Sequence, residues 1–170
     1  MFITINSTTK SIGQMGKNTV PYQSASSFDL FSLFTNKKYF IEMRLNDVSI
    51  KAMRDFVKNF KHVENEKWYR ISDGFVASFT QDGIQTKVFY DKKGGRHCML
   101  SAFPEGQVPN AIKNLIKSKY YDYNIIVAYE ITLGDDTSYI AKIETATSLK
   151  IIQLSNGEIQ LKGDYIKSKF

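Results

Sequence analysis

The sequence predicts an α+β fold built from two helix-plus-antiparallel-meander repeats, and three observations lead there. Two amphipathic segments of helical period end at Phe60 and Tyr120, 60 residues apart (120 − 60). Each precedes four short strand-like runs punctuated by turn residues, with Gly94 and Gly157 standing 63 apart (157 − 94). A chain of 170 residues, 42% apolar and with 10 glycines, suits one ordinary domain or two small repeats sharing a core.

Ahead of these repeats the pattern is irregular. Met1 to Ser7 holds Phe2, Ile3 and Ile5 but no basic segment leading into a long apolar stretch, so it does not read as a secretory signal. Residues 7–27 are rich in Ser, Thr, Gly, Gln and Asn and predict a mobile or irregular leader. Phe28, Leu30, Phe31, Leu33 and Phe34 form an apolar cluster. It reads first as a helical turn docked on the main body, with an exposed binding segment or residues ahead of the true translation start as alternatives. Glu42, Arg44 and Asn46 end the apolar run around Tyr39 to Ile41, and no run approaches the length of a membrane span. Regular periodicity begins at Asn46, which divides the chain into a weakly ordered leader (1–45), a first repeat (46–106) and a second (107–170). A fragment starting near Asn46 is then expected to keep the thermal midpoint of the whole chain.

In the first repeat, Ile50, Met53, Phe56, Val57 and Phe60 fall on one helical stripe, which predicts a helix over Ser49 to Phe60 capped by Asn46 or Asp47. Strands follow at Lys67 to Ile71, Phe75 to Thr80, Ile84 to Tyr90 and His97 to Phe103, with turns at Ser72-Asp73-Gly74 and Asp82-Gly83. Pro109 suits the first turn of the second helix, whose stripe is Ala111, Ile112, Leu115 and Ile116. Its meander runs through Ile125 to Leu133, Ser138 to Glu144, Ser148 to Leu154 and Glu158 to Lys162. Duplication explains the parallel order; a single α+β domain whose halves share only common helix and hairpin chemistry is the alternative.

The stretch from Val48 to Phe60, with Val63-Glu64-Asn65, Trp68-Tyr69, Asp73-Gly74-Phe75-Val76-Ala77-Ser78-Phe79, Asp82-Gly83 and Val88-Phe89-Tyr90-Asp91-Lys92-Lys93-Gly94, resembles Bacteroidetes proteins called beta-lactamase-inhibitor-like or PepSY-like. Lys119-Tyr120-Tyr121-Asp122-Tyr123 and the strands after it resemble their second half. The resemblance covers roughly Asp47 to Phe170. It implies the two-repeat, beta-lactamase-inhibitor-like α+β fold, export to the periplasm or cell surface, and no known catalysis. Members normally begin with a signal peptide, and no inhibitory loop of theirs matches this chain residue by residue.

Adjacent aromatics on a strand point to opposite faces, so of Trp68 with Tyr69, and of Phe89 with Tyr90, one member is expected in the core and the other on a recognition surface. Lys92, Lys93 and Arg96 form a compact basic group around a hairpin, and Tyr121 and Tyr123 an aromatic group after the second helix. Together these nine residues are the candidate recognition surface, although ordinary structural use competes at every one. No catalytic, metal or cofactor site is expected. His62, His97 and Cys98 lack zinc-ligand spacing, His97 and Cys98 diverge on a strand, and Asp135 and Asp136 suit a hairpin turn better than a calcium loop. Gly13, Gly16 and Lys17 miss the spacing of a phosphate loop, and Glu64 and Glu66 have no identifiable nucleophile beside them.

The 23 Lys and Arg against 17 Asp and Glu give +6, spread along the chain without a block, which predicts no specific nucleic-acid binding. The expected function is a non-enzymatic accessory or protein- or peptide-binding domain of the cell envelope, using sheet faces left uncovered by the helices. A structural or assembly protein of the envelope, joined through sheet edges or the Phe28 to Phe34 cluster, is the alternative.

Overall fold

The computed structural model describes residues 40–167 together with Phe31 and Thr35. The expectations for residues 7–27, and for Phe28, Leu30, Leu33 and Phe34, lie outside the described residues. A single antiparallel sheet takes its nine strands in sequence order: β1 (Ile41–Glu42), β2 (Glu64–Ile71), β3 (Gly74–Gln81), β4 (Ile84–Asp91), β5 (Arg96–Pro104), β6 (Asn124–Leu133), β7 (Asp136–Glu144), β8 (Ser148–Ser155) and β9 (Glu158–Ile166). Two ten-residue helices, α1 (Ile50–Asn59) and α2 (Asn110–Lys119), each follow a short 3-10 turn, at Leu45–Asp47 and Glu105–Gln107. The expected α+β architecture of two helix-and-meander units is thus observed, fused edge to edge through β5 and β6.

The two units match closely where they begin. Both 3-10 turns close with the same bond, Val48 N–H to Leu45 O at 3.2 Å and Val108 N–H to Glu105 O at 3.3 Å. Both helices start and stop 60 residues apart, and each is followed by a strand with an irregularity near its start, between Glu64 and Lys67 and between Ile125 and Val127. Two-residue turns at Asp82-Gly83 and Asn156-Gly157 hold both residues at positive φ, the geometry that matches the twist of the flanking strands.

Neither helix is long enough to stand alone, and each is held by what it buries. From α1, Ala52 and Phe56 pack on Trp68, Ala77, Phe79, Val88 and Tyr90. From α2, Ile116 packs with Ala128, Ala141, Ile143, Ile152 and Leu154. Met99 joins the first cluster and Phe103 the second; four residues apart on β5, they point the same way, so both helices lie on one face. The opposite face carries Val76, Phe89, Cys98, Leu100, Ile131 and Ile140, and upstream Phe31 is buried among them. Its ring lies 4.8 Å from that of Tyr129, and Phe40 meets Tyr69 edge to face at 5.6 Å.

Three sequence expectations are corrected. Ser49 occupies the N-cap position of α1 without a side-chain bond, while Asn46 and Asp47 are spent in the preceding turn. The expected α1 stripe is split: Phe56 is buried with Ala52, which the stripe did not include, whereas Ile50 and Val57 are 70% and 57% exposed. Residues before Asn46 also join the sheet. Ile41 pairs with Arg70, Glu42 pairs with Tyr69, and the Met43 N–H donates to Trp68 O at 2.9 Å. A chain beginning at Asn46 is therefore expected to melt below the full chain and to bind a hydrophobic dye, because the cluster around Phe31 loses its cover. Phe31→Ala in the full chain should cost about 3 kcal/mol in a urea titration, the lower end for a buried Phe.

Candidate functional site

Trp68, Phe89 and Tyr90 are withdrawn from any recognition surface by burial. The sheet is covered on both faces at this point, so Phe89 enters the core around Phe31 and Tyr90 enters the core under α1. Trp68 stacks on Tyr90 at 5.6 Å between ring centroids and meets Phe56 edge to face at 5.4 Å. The Trp68 indole N–H donates to Glu66 Oε1 at 2.7 Å. The Tyr90 hydroxyl donates to Asp55 Oδ2 on α1 at 3.0 Å, and Arg96 Nε stands 3.8 Å from the same oxygen. This stack closes the helix-sheet seam. Tyr69 is half-buried on the other face, against Phe40.

The remaining candidates form two separate groups. The hairpin of Lys92, Lys93 and Arg96 leans on the first turns of α1: a Cβ on Gly94 would stand 2.5 Å from Ser49 Oγ and 2.8 Å from Ala52 N, and its φ of +78° suits glycine. Lys92 reaches Asp73 at 3.9 Å, and Arg96 lies 6.0 Å from the Phe60 ring centroid. Tyr123 packs edge to face on Tyr120 at 5.5 Å and donates to Ser148 Oγ at 3.2 Å, whereas Tyr121 is 81% exposed. Pro104 pairs with Val127, so these tyrosines lie beside the far end of β5, about 25 Å from Arg96 at the usual rise per strand residue. The nine candidates therefore do not make one surface.

A different feature does. The outer side of α1 and its preceding turn enclose an open groove of about 690 Å³, lined by Leu45, Val48, Ile50, Met53 and Val57 with Arg54, Lys58 and Lys61 along it. Leu45, Ile50 and Val57 are all more than half exposed. Lys61 Nζ donates to the Val57 carbonyl and covers the end of the helix. Periodicity assigns Ile50, Met53 and Val57 to the core, where only Met53 packs, and leaves Arg54 and Lys58 to solvent without marking them, Leu45 or Lys61 as a site.

The signal that finds this groove is the 60-residue offset. Positions 105, 110, 113 and 117, equivalent to Leu45, Ile50, Met53 and Val57, hold Glu105, Asn110, Lys113 and Lys117. The buried positions keep their character: Val48 with Val108, Phe56 with Ile116, and Trp68 with Ala128 are all buried. The second unit thus shows that the fold does not require an apolar outer helix face.

Cys98 is buried in the core, and that burial pushes its thiol well above the ordinary range, which holds it protonated. Glu66 is occupied by Trp68. Among the described residues no group of three or more His, Cys, Asp or Glu side chains converges as metal ligands, and no helix is long and apolar enough to cross a membrane.

The chain matches no family model and no curated protein. Its fold is similar to that of a BLIP-like protein from Bacteroides fragilis, at 15% identity over 72% of this chain and 89% of that one, with a TM-score of 0.56. It is also similar to a DUF2874 family protein from Bacteroides uniformis, at 14% identity over 70% and 89%, TM-score 0.55. A protein from Bacteroides eggerthii provisionally described as periplasmic matches at 13% identity over 68% and 88%, TM-score 0.57. At these identities the likeness is one of fold, and the architecture is BLIP-like.

Two outcomes follow from this geometry. Replacing Ile50→Asn and Val57→Lys, the residue types of α2, should change stability by no more than about 0.5 kcal/mol, against about 2 kcal/mol or more for truncating a buried aliphatic residue. Chemical denaturation of the double variant checks this. Burial, with the Asp55 bond and charge, raises the Tyr90 hydroxyl above its ordinary value, so the folded chain keeps a proton that the unfolded chain loses near pH 10. That contribution is complete at neutral pH and is lost as pH climbs beyond about 10. Tyr90→Phe should make the alkaline fall in stability shallower, by up to about 1.4 kcal/mol per pH unit.

Proposed function

We propose that this protein is a non-catalytic accessory domain that binds a protein or peptide in the cell envelope, and that the groove on α1 is where it does so. The observation that carries this reading is the apolar outer face of α1, which has no counterpart on α2. Burying an exposed Ile, Val or Leu against a partner yields about 1.5–3 kcal/mol each, and the fold itself draws no benefit from leaving them in water. The inertness of Cys98 and the engagement of Glu66 by Trp68 support a non-catalytic role. The envelope assignment is supported by the similar fold of the Bacteroides eggerthii protein provisionally described as periplasmic.

In this reading residues 46–106, with β1 and Leu45 ahead of them, form the repeat that recognises, and residues 107–170 form a second repeat that extends the sheet. The hairpin with Lys92, Lys93 and Arg96 continues the positive surface around α1, while Tyr69, Tyr121 and Tyr123 lie outside it. Assembly is the second reading, favoured by one observation: edge strand β9 is exposed along most of its length, with Leu161 and Ile166 outward.

Photo-crosslinking separates the two. A crosslinking residue at position 57, and in a parallel chain at position 117, is exposed to envelope and cytosolic extracts at physiological salt. The expected result is one polypeptide adduct from the envelope at position 57 and none at 117, with saturable binding of the recovered polypeptide by calorimetry. Equal labelling at both positions would overturn the groove assignment. Self-association by light scattering that is lost with Leu161→Lys would favour assembly.

A further inference from the structure

Resting on that reading, we propose that the α1 groove takes an acidic amphipathic segment of a partner protein: a row of apolar side chains set beside Asp or Glu. The groove has two parallel features. Ile50, Met53 and Val57 recur at intervals of 3 and 4 on α1, a single helical face continued by Leu45 from the preceding turn. Beside them Arg54, Lys58 and Lys61 recur at intervals of 4 and 3. Arg54 and Lys58 make no ion pair among the described residues. Asp55, the acid on α1, is engaged by Tyr90 and Arg96 on the other side of the helix. Asp47 in the preceding turn is exposed and leaves the three cations in excess.

The equivalent positions again serve as an internal comparison. Arg54, Lys58 and Lys61 correspond to Asn114, Ser118 and Tyr121, and α2 carries its outward lysines instead at 113 and 117, the positions of Met53 and Val57. Cations thus stand on both outer helix faces, but only on α1 do they flank an apolar row. An occupant must therefore answer both, burying apolar groups and bringing negative charge.

Charge also decides against the occupants closest at hand. A second copy presenting the same groove would set Arg54, Lys58 and Lys61 against themselves, in a chain that is already +6. The chain's own residues 1–39 contain Lys10, Lys17, Lys37 and Lys38 against Asp29, and so are basic as well. An anionic lipid surface would match the charge as well, and the vesicle arm of the test separates it from a peptide.

The test is selection of a random-peptide display library on the full chain, with counter-selection on the Ile50→Asn, Val57→Lys chain. Enriched peptides are expected to carry net negative charge with apolar residues at spacings of 3 and 4. Their affinity should fall about tenfold or more in the double variant and in Arg54→Glu, Lys58→Glu, and should weaken as salt rises. Groove-dependent peptides of neutral or basic character would overturn the acidic assignment while sparing the groove. No groove-dependent enrichment would overturn both. Vesicles of phosphatidylserine and phosphatidylcholine are titrated in parallel. Groove-dependent vesicle binding without peptide enrichment would overturn the proposal in favour of a lipid surface. The far-ultraviolet circular dichroism and urea midpoint of each variant confirm that the fold is retained.

Discussion

Seven consecutive register pairs, from Cys98 opposite Leu133 to Pro104 opposite Val127, join β5 to β6 and turn two four-stranded meanders, with β1 added, into one sheet. Most of what surrounds the sheet answers the demand this creates. Nine strands about 4.8 Å apart span about 38 Å, whereas a ten-residue helix is about 15 Å long and about 10 Å across. Two helices therefore cover one face in two patches, centred on Phe56 and Ile116, and the seam between them is partly polar. Thr86 and Ser101 are buried there and satisfy each other at 3.2 Å, and the Tyr139 hydroxyl bonds Glu130. The opposite face has no helix from either repeat, and residues from ahead of β1 supply Phe31 and Phe40 to it.

The same demand explains why the helix faces differ in what they can be used for. Inward positions answer to the sheet and are occupied alike in both repeats, by Val48 and Val108 and by Phe56 and Ile116. Outward positions answer only to solvent, and there the repeats diverge completely. On α2 they are filled as a solvated helix fills them, with Asn110, Lys113 and Lys117, while α1 presents Ile50 and Val57, with Met53 at the edge of its core. The Asp55, Tyr90 and Trp68 network holds α1 on the sheet from its other side, so binding at the groove need not strain the helix's own anchorage.

Much of this was legible in the sequence. Strand alternation and turn residues placed all eight strands of the two meanders, because a half-buried strand writes its period directly into side-chain type. The 60-residue spacing of the helix ends was likewise visible. What failed was the phase of α1. With Ile50, Met53, Phe56, Val57 and Phe60 all apolar, periodicity alone cannot tell which part of a wide stripe faces the sheet, and the small Ala52 carries no signal of its own burial. Phe89 and Tyr90 misled for a related reason: alternation separates their faces but does not say that both faces are covered. β1, two residues long, has no period to read. The groove itself was legible only by setting the two repeats side by side.

Every strand pairs only with its neighbours in sequence, from β1 through β9, and this governs how the sheet is made and unmade. As the chain is synthesised, each new strand finds its partner already laid down beside it, and apart from the two helical connections ahead of β2 and β6 only short turns have to close before the ladder grows. Tension on the C-terminal end runs the same order backwards: it loads the β9 ladder first, and strands come away one at a time instead of sharing the load. The protein therefore offers little mechanical resistance from that end, a property suited to a chain that has to be threaded through a channel or a protease and ill suited to one that bears load.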